Sequence, residues 1–385
     1  MITRALSSHL LRLSRHYPVV TVVGPRQSGK STLCKVAFPS LPLVNLEQPD
    51  VRARIAEDPR AFIEAHKGGC VVDEIQHLPE LASYIQVAVD ERGSPGEFIL
   101  TGSHQYQLME SVSQSLAGRT AILKLLPLSS AELRNTEYSP HSLDQQLLSG
   151  GYPRIFNDSL DPTQALSFYV QTYLERDVRQ IINVRDLSLF ERFLKLCATR
   201  SGQLFNATNI GAEAGIDQST VREWLSVLET SFILTRLQPH HVNLSKRILK
   251  SPKLFFLDTG LLCYLLGIRS AEQLAHHPLR GAIVETFVAS ELIKNRYNVA
   301  EEPSMGFFRD SAGHEIDFVI DDGADVRLLE VKASSTFNSE FLKNIRFYRT
   351  QRSARVSQSR VIYTGSEGFS VDDISVVPIS EIHTL

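Results

Sequence analysis

The 385-residue sequence predicts an α/β protein. A mostly parallel sheet opened by a phosphate-binding loop is followed by a winged-helix unit and a second, smaller α/β unit. Three observations predict this. The β-branched run Pro18-Val19-Val20-Thr21-Val22-Val23 leads straight into a Gly-rich loop, Gly24-Pro25-Arg26-Gln27-Ser28-Gly29-Lys30-Ser31. A helix-turn-helix pattern occupies residues 206–230, with hairpin-forming segments behind it. Further on, Glu315–Ile320 and Arg327–Lys332 read as strands joined by the turn cluster Asp321–Asp325. The expected divisions are 1–150, a helical linker over 151–187, then 188–272 and 273–385.

Composition sets the limits. Apolar residues make up 43% and charged residues 22%, so each unit has enough apolar surface for a core. The net charge of −3 gives no global basic field, and a nucleic-acid role would need a local basic surface. Cys34, Cys70, Cys197 and Cys263 are far apart and form no CxxC pair, which argues against zinc and a disulfide framework. No apolar run reaches the ~18 residues of a membrane span. The longest, Leu257–Ile268, is interrupted by Asp258 and Gly260. At the N-terminus Arg4, Arg12 and Arg15 lie among leucines, which reads as an amphipathic first helix and not a signal peptide. A cytoplasmic protein without membrane contact is expected.

The first loop has the form G-x-x-x-x-G-K-S between a buried strand and a helix opening at Ser31-Thr32-Leu33. In that setting Gly24 and Gly29 let backbone N–H groups curl around phosphates, and the helix directs its positive end at the same charge. ATP is the expected ligand, held by Gly24, Pro25, Arg26, Gln27, Ser28, Gly29, Lys30, Ser31 and Thr32. Lys30 is expected on the β- and γ-phosphates and the Ser31 hydroxyl on Mg2+. Cys70-Val71-Val72 reads as the next buried strand, ending in Asp73 and Glu74. Asp73 is the second expected Mg2+ residue, and Glu74 the group that polarises the attacking water. Phe98–Gly102 is a third such strand, and the hydroxyl of Ser103 at its end is placed to report the γ-phosphate. Leu43–Leu46 and Ala121–Leu125 supply two more strands.

Taken together, these stretches resemble a prokaryotic AAA-type ATPase family whose members carry a C-terminal domain of unknown function. Leu116-Ala117-Gly118-Arg119, Pro127-Leu128-Ser129, Gly150-Gly151-Tyr152-Pro153, Lys253–Leu262 and Leu329–Lys332 also match. The resemblance covers nearly the whole chain. It implies a five-stranded AAA-type core with Ser103 at the first sensor position. It also implies Arg119 as an arginine finger acting on a neighbouring subunit's nucleotide, hence a homo-oligomer. A surface salt bridge is the competing role for Arg119.

In the middle, Pro162–Gln180 and Phe190–Arg200 read as helices. Asn206–Ala214, the turn Gly215-Ile216-Asp217 and Gln218–Thr230 make the helix-turn-helix. Asp217 or Ser219 is the expected cap, with Glu223 placed for a capping box on Thr220. Val221, Trp224, Leu225 and Leu228 form a buried stripe, leaving Gln218, Ser219, Arg222, Glu223 and Ser226 facing out. Residues 191–253 hold nine Lys/Arg against five Asp/Glu, a local basic surplus. Lys246, Arg247, Lys250 and Lys253 cluster around the expected wing. DNA contact through Gln218, Ser219, Arg222, Lys246, Arg247 and Lys250 is one reading. A protein-binding module or spacer is the other.

In the last unit Gly281–Asn295 reads as a helix with Glu285 as the only charge on its apolar stripe. If the hairpin is symmetric about Gly323-Ala324, Asp317 faces Glu330. Ile316, Phe318 and Ile320 then share one face with Leu329, Val331 and Ala333, while Asp317, Glu330 and Lys332 share the other. This is similar to the PD-(D/E)XK restriction-endonuclease-like family, with Glu285, Asp317, Glu330 and Lys332 at the implied metal-dependent centre. His314 is expected to be solvated. The functional expectation is an ATP-hydrolysing AAA-type ATPase acting on DNA. The alternatives are a nucleotide-switched signalling ATPase binding proteins and an ATP-regulated, metal-dependent nuclease.

Overall fold

The computed structural model describes residues 2–103, 115–174, 186–240, 251–350 and 355–384. Its first sheet is five-stranded and wholly parallel: β1 (Val19–Val23), β2 (Leu43–Asn45), β3 (Cys70–Asp73), β4 (Phe98–Gly102) and β5 (Thr120–Lys124), in the order β2-β3-β4-β1-β5. The three inner strands are buried throughout, which their continuous apolar runs require of a sheet covered on both faces. β5 is an edge strand and leaves Ile122 exposed. Leu6 beside α1 (Ser7–Leu13) and that helix's Leu10 pack with Leu33 and Cys34 of α2 (Lys30–Ala37) on one face. On the other face α3 (Leu81–Arg92) packs through Leu81, Ala82 and Ile85.

The middle region has the order α4 (Leu187–Thr199), β6 (Gln203–Leu204), α5 (Ala207–Ala214), α6 (Gln218–Thr230), β7 (Leu234–Leu237) and β8 (Lys253–Phe256). Its strands form an antiparallel sheet, β6-β8-β7. α6 begins at Gln218, so Asp217 is its cap and accepts from the Thr220 amide at 2.8 Å. The capping box expected on Thr220 does not form, because Thr220 already lies in the first turn. Trp224 meets Phe190 and Phe193 edge-on, 5.4 and 5.5 Å between centroids. The helix expected over Pro162–Gln180 is α-helical over Pro162–Tyr169 and π-helical over Val170–Leu174; its remainder lies outside the described residues. Asp258, which interrupts the apolar run Leu257–Ile268, caps the helix Thr259–Leu265 and accepts from the Gly151 amide at 2.7 Å.

The last region comprises α7 (Arg280–Asn298), β9 (Met305–Arg309), β10 (Glu315–Asp322), β11 (Asp325–Lys332), α8 (Lys343–Thr350), β12 (Arg355–Tyr363), β13 (Phe369–Val371) and β14 (Ile374–Pro378). Their mixed sheet has the order β13-β14-β12-β11-β10-β9. Phe318 lies opposite Leu329 and Asp322 opposite Asp325, the register set by the turn. One side chain departs from the expected alternation. The register of β10 against β9 shifts between Ile316 and Val319, and a bulge there turns Ile316 to the α8 side. Ile316 packs with Leu342, Ile345 and Tyr348, whereas Phe318 joins Leu329 and Val331 in the core beneath α7. A single apolar cluster runs from Leu147 through Trp224, Phe256 and Phe287 to Ile382, so the middle and last regions share buried surface.

Candidate functional site

β1 ends at Val23 and the chain turns away beneath Leu125. A Cβ on Gly24 would come within 2.1 Å of the Leu125 carbonyl oxygen, so no side chain fits there. Gly29, at φ +92°, caps α2 in the left-handed region. Between them the Ser28 hydroxyl is buried and has no hydrogen-bond partner among the described residues. Lys30 is buried, and its Nζ donates to the carbonyl oxygens of Gly24 at 3.0 Å and Pro25 at 2.9 Å. Burial lowers its pKa, with Glu74 and Asp73 pulling the other way. Arg26 reaches Glu47 at 3.3 Å. Gln27 takes a left-handed φ of 60° at the apex of the loop. Gly29 and Thr32 line a cavity of about 140 Å3 together with Ile2, Leu33, Leu128 and Pro153.

The acidic pair stands beside this loop. Ser31 Oγ donates to Asp73 Oδ1 at 2.8 Å, and Thr101 Oγ1 donates to the same oxygen. Burial raises the Asp73 pKa against those two hydrogen bonds. Glu74 is left-handed, φ 57°, which turns its carboxylate away from that of Asp73 toward Ser103 and Gln76. Ser103 Oγ donates to Glu74 Oε2 at 2.9 Å and accepts from Gln76 Nε2 at 3.1 Å. Burial pushes the Glu74 carboxyl up, but Lys30, Ser103 and Gln76 together hold it below its ordinary value. Glu47, Glu74 and His77 also bring ligand atoms within 4.8 Å of one another.

Two residues here escaped the sequence reading. Gln76 holds Glu74 and Ser103 through one amide. Its signal was present, an amide two residues beyond the glutamate in the turn Ile75–His77. Arg4 donates to the Ser28 carbonyl at 2.6 Å, the Leu126 carbonyl at 2.7 Å and Glu132 at 2.9 Å. Nothing local announces it, because its partners lie up to 128 residues away. Arg119 sits at the surface in a two-pronged pair with Asp90, at 2.5 and 2.8 Å.

A second polar cluster lies where the middle and last regions meet. Asp317 Oδ2 accepts from the Val331 amide at 2.8 Å, beside Glu330. Lys332 Nζ lies 3.3 Å from Glu330. Lys253, expected on an exposed wing, is instead buried, because three carboxylates neutralise it at the seam. Its Nζ donates to Glu285 at 2.8 Å, pairs with Glu315 and lies 3.8 Å from Asp317. Glu315 also meets Arg309 at 3.1 Å. Burial raises the Glu285 pKa to about 8, with Asp317 adding to it and Lys253 opposing. Burial likewise drives Glu330 up, again beside Asp317. His314 is not fully solvated: it stacks on Phe347 with centroids 3.6 Å apart and bonds Asp310 at 2.9 Å. On α6, Gln218, Ser219, Arg222, Glu223 and Ser226 are exposed. Lys246, Arg247 and Lys250 lie outside the described residues.

Three family profiles match successive parts of the chain. A family profile described as an AAA domain matches residues 16–134. Two profiles described as domains of unknown function, DUF8612 and DUF4143, match residues 140–272 and 280–382. The uncharacterized proteins Rv2008c of Mycobacterium tuberculosis and Mb2031c of Mycobacterium bovis are each 31% identical over 390 aligned residues, covering 99% of this chain and 84% of theirs. Among solved structures, the Walker-type ATPase PABY2304 of Pyrococcus abyssi aligns with a TM-score of 0.47 at 15% identity, over 68% of this chain and 94% of that one. Among the described residues no helix is long and apolar enough to cross a membrane.

Proposed function

Since the chain belongs to the family of these two mycobacterial proteins and is a P-loop AAA-type ATPase, we propose that it binds ATP with Mg2+ at residues 24–32 and uses hydrolysis to act on DNA. One observation carries the ATP site: Lys30, Ser31, Asp73, Glu74 and Ser103 converge at the C-terminal ends of three adjacent parallel strands. That edge is where ligands bind in open α/β sheets. The donor set fits a triphosphate, since the loop offers a buried hydroxyl without a partner and a lysine held by neutral carbonyls. Ser31 and Asp73 offer hard oxygen ligands suited to Mg2+, which when bound neutralises charge on the phosphate oxygens.

In this reading Lys30 leaves the Gly24 and Pro25 carbonyls for the β- and γ-phosphates. Glu74 accepts the proton of the attacking water once Gln76 and Ser103 release its carboxylate. Gln76 therefore holds the resting state and Ser103 links it to the γ-phosphate. The cavity lined by Ile2, Leu33, Leu128 and Pro153, with Arg4 and Asn157 at its polar side, takes the base. Arg119 leaves Asp90 to act on a neighbouring subunit's nucleotide. ATP binding measured with and without magnesium tests the core of this reading. No affinity for ATP or ADP would overturn it.

In this reading DNA contact runs through a winged helix, by Gln218, Ser219 and Arg222 on the exposed face of α6, together with Lys246, Arg247 and Lys250, which lie outside the described residues. Binding to duplex and branched DNA should weaken steeply as salt rises. Absence of binding at low salt would favour a nucleotide-switched ATPase acting on proteins. Light scattering with saturating nucleotide tests the expected homo-oligomer. A second reading, metal-dependent cleavage by the last region, is favoured by Glu285 and Asp317 sharing Lys253 and by the Glu330–Lys332 pair on the neighbouring strand. Plasmid nicking with Mn2+ that disappears in Asp317→Ala would support it.

A further inference from the structure

We propose that the cavity between α7 and the β10–β12 face of the last sheet binds the phosphoryl group of a small phosphate ester, held by Arg327 and Arg360. The cavity measures about 170 Å3. Arg327 stands on β11 opposite Gln358 of β12, and Arg360 follows two residues later on the same face. The two guanidinium groups therefore line the cavity as diagonal neighbours. Glu330 and Lys332 alternate to the other face of β11, so this site is separate from the carboxylate cluster.

The protein compensates little of this paired positive charge. The Arg327 Nε is buried and has no hydrogen-bond partner among the described residues. The acid paired with it, Asp322, is 4.0 Å away, and the same carboxylate oxygen accepts from Ser357 Oγ at 2.9 Å. Arg360 is met by an amide: with its oxygen toward that guanidinium, Gln358 accepts at 2.9 and 3.2 Å. Burial first, and then Arg327, lowers the Arg360 pKa, with no carboxylate among the described residues opposing them. Asp321, the acid in the lining, gives one oxygen to His240 at 2.9 Å and the other to Ser304 at 2.7 Å. Arg296, at the end of α7, pairs with Glu301.

These features select the ligand. An unpartnered buried N–H beside a second guanidinium suits an oxyanion with several acceptor oxygens, and phosphate meets arginine forks two-pronged. Leu292, Met305, Ile320 and Leu329 supply an apolar side, so an ester with a ring or alkyl body gains contact that inorganic phosphate lacks. A DNA backbone phosphate would leave that apolar side empty. Neither ATP hydrolysis nor DNA contact enters the chemistry of this site.

Calorimetric titration of the nucleotide-free full-length chain with phenyl phosphate and with inorganic phosphate tests this. Phenyl phosphate should bind at least about tenfold tighter than inorganic phosphate, at a site that Lys30→Ala retains. Arg327→Gln and Arg360→Gln should each weaken that site by at least about tenfold, as loss of a charged hydrogen bond does. Equal affinity for phenyl phosphate in the wild type and in folded arginine variants overturns the proposal. So does loss of the site in folded Lys30→Ala, which would place the ester at residues 24–32. Arginine-dependent binding of an oligonucleotide without any of phenyl phosphate overturns it too, and makes the cavity a DNA contact. Phenylglyoxal modification of the wild type, mapped by mass spectrometry, needs no variant to fold. Phenyl phosphate should protect Arg327 and Arg360 and leave the exposed Arg12 reactive. If neither cavity arginine is protected, the proposal falls.

Discussion

Lys30 and Lys253 are both buried ammonium groups, 4% and 2% exposed, but they are held in opposite ways. Lys30 rests on two neutral carbonyl oxygens of its own loop. Lys253 sits among three carboxylates gathered from α7 and β10. A carbonyl gives up a lysine readily, because the exchange leaves no bare charge behind. A carboxylate does not, since each buried acid left unpaired carries a desolvation penalty. The first lysine is poised for an incoming anion, and the second has its counter-charge already. Sequence alone treats both as basic residues near functional motifs; their partners separate them.

The largest expected effect tests the second lysine. Lys253→Ala should lower unfolding free energy by about 3–5 kcal/mol, the cost of breaking a buried ion pair. Lys30→Ala should change stability far less, and urea titration of both variants would expose an error in this ordering. For turnover the ranking reverses. Lys30→Ala should lower ATP hydrolysis by about 10²-fold or more, as loss of a preorganised donor does, with Lys253→Gln closer to wild type. Glu74→Gln should retain ATP yet hydrolyse it about 10²-fold more slowly, which separates binding from chemistry in a phosphate-release assay.

A smaller effect appears with pH. Glu285 has a folded pKa raised to about 8, above its unfolded value, so it takes up a proton on folding. Its contribution is fully present below the unfolded pKa and is lost as pH rises through the folded one. Thermal melts at pH 5 and pH 8 should show Glu285→Gln escaping a loss of about 1 kcal/mol or more that the wild type suffers, the worth of under one pKa unit. A wild type with no such slope would mean that Lys253 holds Glu285 ionised throughout. The smallest effect belongs to the surface pair. Asp90→Ala should leave the melting temperature unmoved while freeing Arg119. A change in the protein-concentration dependence of ATP hydrolysis would place that arginine at a subunit contact.

The parts of the fold legible in the sequence are those fixed by local patterning. Val19–Val23, Cys70–Asp73 and Phe98–Gly102 are apolar on both faces, which leaves a buried parallel strand as the natural outcome. The limits of α6 follow from Asp217 before its first turn and an apolar stripe after it. The hairpin register follows from the Asp-Gly turn, so Asp317 and Glu330 could be paired on paper. The bulge at Ile316–Val319 could not, because it answers to β9 and α8, not to its own alternation. β12 and β14 also went unread, although they form the parallel half of the last sheet. At the candidate sites, motif residues were visible and their holders were not. Gln76 needed the left-handed turn at Glu74, while Arg4 and Lys253 needed partners brought from distant elements.

α7 has a bearing on how this protein can be taken apart. At its start Glu285 enters the carboxylate cluster. Two turns later Lys294 donates to the Leu128 carbonyl at 3.0 Å, and Glu291 accepts from the Ser130 amide at 2.7 Å. A fragment cut at residue 280 would therefore carry this Glu291–Lys294 pair, 3.1 Å apart, on a newly bared surface without the Ser130 amide and Leu128 carbonyl that it also bonds. Excised pieces of this chain are poor proxies for the whole, and an inactive or aggregating fragment would say nothing about the intact C-terminal region.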